Sequence, residues 1–213
     1  MTDNLLPEPD RNCTLCPRLA DYRDQNKKQY PDWYNGAVSS FGDLNAEVLI
    51  VGLAPGVSGA NRTGRPFTGD YAGDLLYATL EKYGFSSGIY AKHCDDGLTL
   101  NKIMITNAVR CVPPQNKPIG REVNTCAVFL RNRINALQNL KILITLGKIA
   151  HDATIRALDH KLSAYKFGHA NMHDIGGLKI IDSYHCSRYN TNTGRLTEEM
   201  FEQVFAIAKA ALG

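Results

Sequence analysis

The stretch Glu47-Val48-Leu49-Ile50-Val51-Gly52-Leu53, running straight into Ala54-Pro55-Gly56-Val57-Ser58-Gly59, decides the fold. A short apolar run without polar alternation reads as a strand covered on both faces, as in a parallel sheet. Three further segments read as core strands: Ile103-Met104-Ile105-Thr106-Asn107, Lys141 to Leu146, and Leu178 to Ser183. Helical patterns lie between them. Tyr71 to Tyr83 is stopped by Gly84, Arg121 to Leu140 carries Val128, Phe129, Ile134 and Leu137 near one face, and Gly147 opens a helix through Ala157. A short helix is expected through Asp21 to Asn26, and residues 86–101 read as a loop or excursion. Thr197 is a natural N-cap for a last helix reaching about Leu212, with Glu198 and Glu199 at the positive end of its dipole. Strands alternating with helices predict one α/β domain over residues 1–213: three layers, α/β/α, around a central, mostly parallel, about four-stranded sheet.

With 44% hydrophobic and 21% charged residues, the chain has the composition of a globular domain rather than a disordered one. Its longest apolar stretches, Val48 to Leu53 and Ile142 to Leu146, are far below the ~20 residues that span a bilayer. Met1-Thr2-Asp3-Asn4 lacks a basic start followed by an apolar run, so a cytoplasmic location is expected. A net charge of +3 fits a nucleic-acid partner without requiring one.

Ligands of parallel sheets gather beyond the carboxyl ends of the strands. That rule selects the segments beginning at Ala54, Asn107 and Tyr184. From Gly52 to Asp70 the chain holds five glycines and two prolines, which let backbone pass close to a ligand, and Arg62 and Arg65 suit phosphate. It has neither the lysine and spacing of a P-loop nor G-x-G-x-x-G, so nucleotide-cofactor readings fail. The third segment, Tyr184-His185-Cys186-Ser187-Arg188-Tyr189-Asn190-Thr191-Asn192-Thr193-Gly194-Arg195, leads from a strand-end histidine into small polar residues and arginines. It reads as a surface that touches a phosphate backbone.

Without an export signal the six cysteines are expected to be reduced. Cys13 and Cys16 form a C-x-x-C, Cys111 and Cys126 follow far downstream, and Cys94 and Cys186 stand alone. Four thiolates in two pairs suggest a zinc or iron–sulfur site. Spacing alone leaves that open against unrelated buried cysteines.

Taken together, these segments resemble the uracil-DNA glycosylase superfamily, specifically its iron–sulfur family 5, type b. Gly52-Leu53-Ala54-Pro55-Gly56 resembles the first motif, and Asn61-Arg62-Thr63-Gly64-Arg65 with Phe67-Thr68-Gly69-Asp70 its continuation. His185-Cys186-Ser187 through Asn190 to Thr197 resembles the second. Leu53 stands where family 4 carries Glu, and Ala54 where the best-known family carries Asp. One departure is Cys186 in place of the usual proline, which is expected to leave a thiol near the DNA surface.

The resemblance implies a monomeric hydrolase that excises uracil, or hypoxanthine or xanthine, from DNA, associated with the nucleoid through DNA binding and not with membranes. It implies a 4Fe-4S cluster on Cys13, Cys16, Cys111 and Cys126. Phe67 is expected to stack on a flipped base, Asn107 to read its edge, and His185 to stabilise the departing base, with Gly52, Ala54 and Gly56 lining the pocket. Asp70 is the first candidate to position water or stabilise the cationic sugar, Asn61 the second, while Asp74 begins a helix. Ser187, Arg188, Tyr189 and Asn190 are expected at the minor groove, and Arg62, Arg65, Arg110 and Arg195 at phosphates.

Three other readings compete. The absent first-motif carboxylate admits a non-catalytic iron–sulfur damage-recognition protein on the same scaffold. A covalently trapping subgroup would need a Lys/Arg-rich insertion between Asp70 and Tyr83, which is absent. A metal-dependent nucleotide hydrolase would want paired histidines; His169 and His173 lie four apart but read as a loop or surface pair.

Overall fold

In the computed structural model, which describes residues 8–213, each of the four apolar runs becomes a strand. The Met1-Thr2-Asp3-Asn4 reading lies outside the described residues. In chain order the elements are helix α1 (Pro17–Gln29), strands β1 (Phe41–Gly42) and β2 (Val48–Gly52), helices α2 (Ala60–Thr63) and α3 (Tyr71–Lys82), and strands β3 (Ser86–Ser87), β4 (Thr99–Leu100) and β5 (Ile103–Asn107). Helix α4 (Gly120–Ala136), strand β6 (Ile142–Leu146), helix α5 (Lys148–Ala157), strands β7 (Met172–Ile175) and β8 (Leu178–Ser183), and helices α6 (Arg188–Asn192) and α7 (Glu198–Leu212) complete the chain.

The main sheet runs β1-β5-β2-β6-β8-β7. Its inner four strands are mutually parallel, as expected. It has six strands rather than about four, because β1 and β7 add antiparallel edges. Neither edge had an apolar signature: β1 is two residues long, and β7 reads Met-His-Asp-Ile with no residue fully buried.

Successive side chains of a strand face opposite ways, and β2 uses both directions. Val48 and Ile50 join the layer of Leu76, Leu80, Phe201 and Phe205 from α3 and α7. Leu49 and Val51 join that of Leu130, Ile134, Ala150 and Ala153 from α4 and α5. The result is three layers with a core on each side of the sheet. Gly52 pairs with Asn107 at the carboxyl ends of β2 and β5, which brings the loops leaving those strands to one edge.

Residues 86–101 form more than a loop. The β3–β4 hairpin returns Tyr90 and Asp96 to the glycine-rich segment. Asp96 grips Arg65 with two 2.7 Å bonds, under the rings of Phe41, Tyr77 and Tyr90. The Tyr90 hydroxyl accepts the Gly69 N–H and donates to the Phe67 carbonyl, locking both sides of the turn that carries Phe67. Among the described residues no helix is long and apolar enough to cross a membrane.

Candidate active site

The three strand-end segments meet around one cleft of about 590 Å³, within the range of small-molecule pockets. Ala54, Gly56, Phe67, Asp70, Asn107, His185, Ser187 and Arg188 all line it. Gly52 lies beneath, and its lack of a side chain is required. A Cβ there would stand 2.6 Å from two atoms of the Phe67 ring and collide with the Asn107 side-chain oxygen. Phe67 itself holds a left-handed backbone, φ 52°, a conformation that costs a non-glycine residue energy unless its surroundings enforce it. The Tyr90 hydroxyl and the Arg65–Asp96 pair supply that enforcement. The Asn107 Oδ1 is buried and has no partner. A buried acceptor left this way costs free energy that a bound donor can recover.

Asp70 is both a helix cap and a cleft residue. One oxygen accepts the Gly73 amide at the start of α3, and the other faces Gly59 and Gly56. Burial pushes its carboxyl up from the ordinary value, and the charge of Asp74 adds to the effect. Asp74 sits in the first turn of α3 and pairs with Lys92 at 2.9 Å. The His185 imidazole lies 6.2 Å from the Phe67 ring, and burial lowers it to about 4, so it is neutral at physiological pH.

The second-motif segment is a tight turn into α6. Ser187 caps that helix, and the Asn190 amide donates to the His185 carbonyl at 2.8 Å. Arg188 lies over the Tyr71 ring at the cleft, and Tyr189 projects outward, 74% exposed. Arg195 packs over Tyr184, and Arg62 is exposed beside Gly69.

Four expectations are corrected. Arg65 is buried in its pair with Asp96 and cannot reach phosphate. Arg110 is buried too, bonded to Glu8 at 2.8 Å and Ser40 at 3.0 Å. Asn61 does not line the cleft: its fully buried amide donates to Asn35 and holds the Trp33–Asn35 turn in place. Cys186 is not near the DNA surface. It is fully buried in the core with Ile181 and Leu196, its sulfur 3.5 Å from the Ala72 carbonyl, and burial drives its thiol far up.

Three cleft residues were not singled out in the sequence: Tyr71 and Ala72, which open α3, and Asn116. Asn116 lines the rim from the turn after Pro113-Pro114, with φ 56° at both Gln115 and Asn116. Its signal was available: the turn follows β5, at whose carboxyl end Asn107 had already been singled out.

Cys13, Cys16, Cys111 and Cys126 line a second, small cavity together with Leu19 and Phe129. Cys16 begins α1, and Cys126 accepts the Arg110 N–H at 3.3 Å. Burial raises Cys111 to about 12 and Cys126 to about 11, and the neighbouring thiols push the same way. Four thiolates there demand a strong positive charge among them, which is the chemistry of a metal centre.

The family model of the "Uracil DNA glycosylase superfamily" matches residues 39–209. The chain is 42% identical over 208 residues to the type-5 uracil-DNA glycosylase of Thermus thermophilus, covering 94% of each chain. It is 39% identical over 206 residues to that of Pyrobaculum aerophilum, covering 95% of this chain and 90% of the relative. The type-4 uracil-DNA glycosylase of P. aerophilum is more distant, at 34% over 157 residues, covering 73% and 66%. With its cleft built from the three strand-end segments, the chain belongs to the uracil-DNA glycosylase superfamily, among relatives of type 5.

Proposed function

We propose that the protein hydrolyses the N-glycosidic bond of uracil flipped out of DNA, with hypoxanthine and xanthine as further substrates, and so initiates base excision repair as a monomer. The observation that carries this reading is the meeting, in one cleft, of the Phe67 ring, the unpartnered Asn107 oxygen, the neutral His185 and the Asp70 carboxylate.

Extruding the nucleotide costs on the order of a few kcal/mol, recovered by contacts in the pocket. The base stacks on Phe67, and its ring N–H donates to Asn107 Oδ1, an acceptor with no other use. As the glycosidic bond breaks, negative charge develops on the base oxygens. A neutral imidazole keeps one N–H to donate to that charge, already oriented. Positive charge develops on the sugar at the same time, and Asp70 is the carboxylate that faces it and orients water. Ala54 presents only a methyl to the cleft, so Asp70 bears that role alone. Outside the cleft, Arg188 and Tyr189 enter the minor groove and fill the gap left by the base, while Arg62 and Arg195 meet phosphates.

The thiol cavity fits a 4Fe-4S cluster held by Cys13, Cys16, Cys111 and Cys126. Four cysteine sulfurs around one mostly apolar pocket are the donor set of such a cluster. Bound there, the cluster would balance the thiolate charge and tie the start of α1 to both the segment after β5 and α4, with no step in the reaction.

Release of free uracil from a duplex bearing one uracil, under single-turnover conditions, tests the activity. Free base with an alkali-labile abasic site is expected. Tight binding with no base released would instead support the non-catalytic damage-recognition reading.

A further inference from the structure

On the β7 side of the sheet lies a network that base excision does not use. Asp182 of β8 is fully buried. Its Oδ1 lies 2.7 Å from His151 Nδ1 and accepts the Thr145 hydroxyl at 2.8 Å. Its Oδ2 lies 3.3 Å from His173 Nε2 and accepts the Gly168 N–H. These three residues are the group whose ligand atoms close to within 4.8 Å. The other ring nitrogen of His151, Nε2, sits 2.9 Å from the Tyr165 carbonyl.

A carbonyl can only accept, so Nε2 carries a proton. In a neutral ring the lone pair then falls on Nδ1, aimed at a carboxylate oxygen. Two lone pairs cannot face each other at 2.7 Å without a positive charge between them. A proton on Nδ1 would meet that need for the His151–Asp182 pair alone; a metal ion would meet it for all three residues, since His173 brings a second imidazole nitrogen to the same carboxylate. We propose that His151 Nδ1, Asp182 and His173 Nε2 hold a single divalent transition-metal ion of zinc type, with water completing the shell on the partly exposed His173 side.

The surroundings match such a site. Ligating histidines commonly give their outer N–H to a carbonyl, and ligating carboxylates are themselves hydrogen-bonded. Tyr165 provides the first feature, and Thr145 and Gly168 the second. Tetrahedral bonds of about 2.0–2.1 Å space ligand atoms roughly 3.3 Å apart, the spacing of His173 and Asp182; the His151 nitrogen, 2.7 Å from Asp182, has to draw back by about 0.6 Å to admit the ion. Two imidazoles and one carboxylate suit zinc better than calcium or magnesium. Phe167 and Tyr165 close the site with rings 5.7 Å from His151 and His173. The ion would tie α5 and β7 to β8 at Asp182, three positions ahead of His185.

Elemental analysis of the cluster-loaded protein, dialysed against zinc and then against metal-free buffer, tests this. One zinc per chain beyond the iron is expected. His173→Ala, on a partly exposed edge strand where the fold should tolerate it, should lose the zinc and keep the iron and the visible absorbance of the cluster; His151→Gln should lose the zinc as well. Cobalt(II) in the site should show ligand-field bands without sulfur-to-metal charge transfer. Zinc absent from the parent protein, zinc retained in full by His173→Ala, or thiolate charge transfer with cobalt would each overturn the proposal.

Discussion

The carboxylate of Asp70 accepts the Gly73 amide at 3.0 Å through one oxygen, while the other oxygen turns across Gly59 towards the cleft. One side chain therefore starts α3 and reaches the reaction space. Asparagine caps helices about as well as aspartate but carries no charge, so Asp70→Asn separates the two roles. That variant should melt within about 1 °C of the parent and lose about 10²-fold or more in single-turnover rate. Asp70→Ala should lose the rate and also about 1 kcal/mol of stability. A normal rate in Asp70→Asn would remove Asp70 from the mechanism.

His185 makes a pH prediction whose sign follows from its lowered value. The folded protein holds the imidazole at about 4, whereas the unfolded chain titrates near the ordinary 6.5. Above about 6.5 both states are neutral, and the residue adds no pH dependence. Between about 6.5 and about 4 the unfolded chain takes up the proton first, so stability falls with falling pH and levels off below about 4. His185→Gln lacks this slope. Melting curves should therefore show the parent losing ground to the variant on acidification, with a constant difference near neutrality. The same variant should lose about 10²- to 10³-fold in rate. A difference in melting temperature that ignores pH would rule out the buried neutral ring.

Gly52 sets the spacing of Phe67 and Asn107, the two groups proposed to contact the base. Since a Cβ there strikes both Phe67 and Asn107, Gly52→Ala should cut kcat/KM at least about tenfold, yet leave the β2–β5 ladder intact. If the clash is the cause, the same change made in Phe67→Ala should cost less, because removing the ring frees part of the space. Additive losses would point elsewhere.

Legibility followed chain locality. The four parallel strands could be read because each is a contiguous apolar run buried on both faces. Asn107 and His185 could be placed at the cleft because motif and strand end coincide, and Asp70 because it closes the glycine-rich segment that leaves β2. Arg65 and Arg110 misled because a guanidinium's fate depends on whether a distant carboxylate reaches it. Asp96 does so from 31 residues away and Glu8 from 102, and no local pattern encodes either. His151, Asp182 and His173 come from a helix and two strands, so their convergence has no sequence period.

Arg62 and Arg65 lie three residues apart and should respond in opposite ways. Arg65 forms a buried bidentate pair, so Asp96→Ala leaves an uncompensated buried charge and should cost about 3–5 kcal/mol. Arg62 is exposed beside the cleft, where its loss should change stability by no more than about 0.5 kcal/mol. If Arg62 meets a phosphate, Arg62→Ala should weaken binding to an abasic-site duplex regardless of flanking sequence. It should also lower the slope of log Kd against log salt by about one. Thermal melts and a salt titration on the two variants decide the matter. An unchanged salt slope in Arg62→Ala would take that side chain off the DNA, and a stable Asp96→Ala would mean that the buried pair does not brace the Phe67 turn.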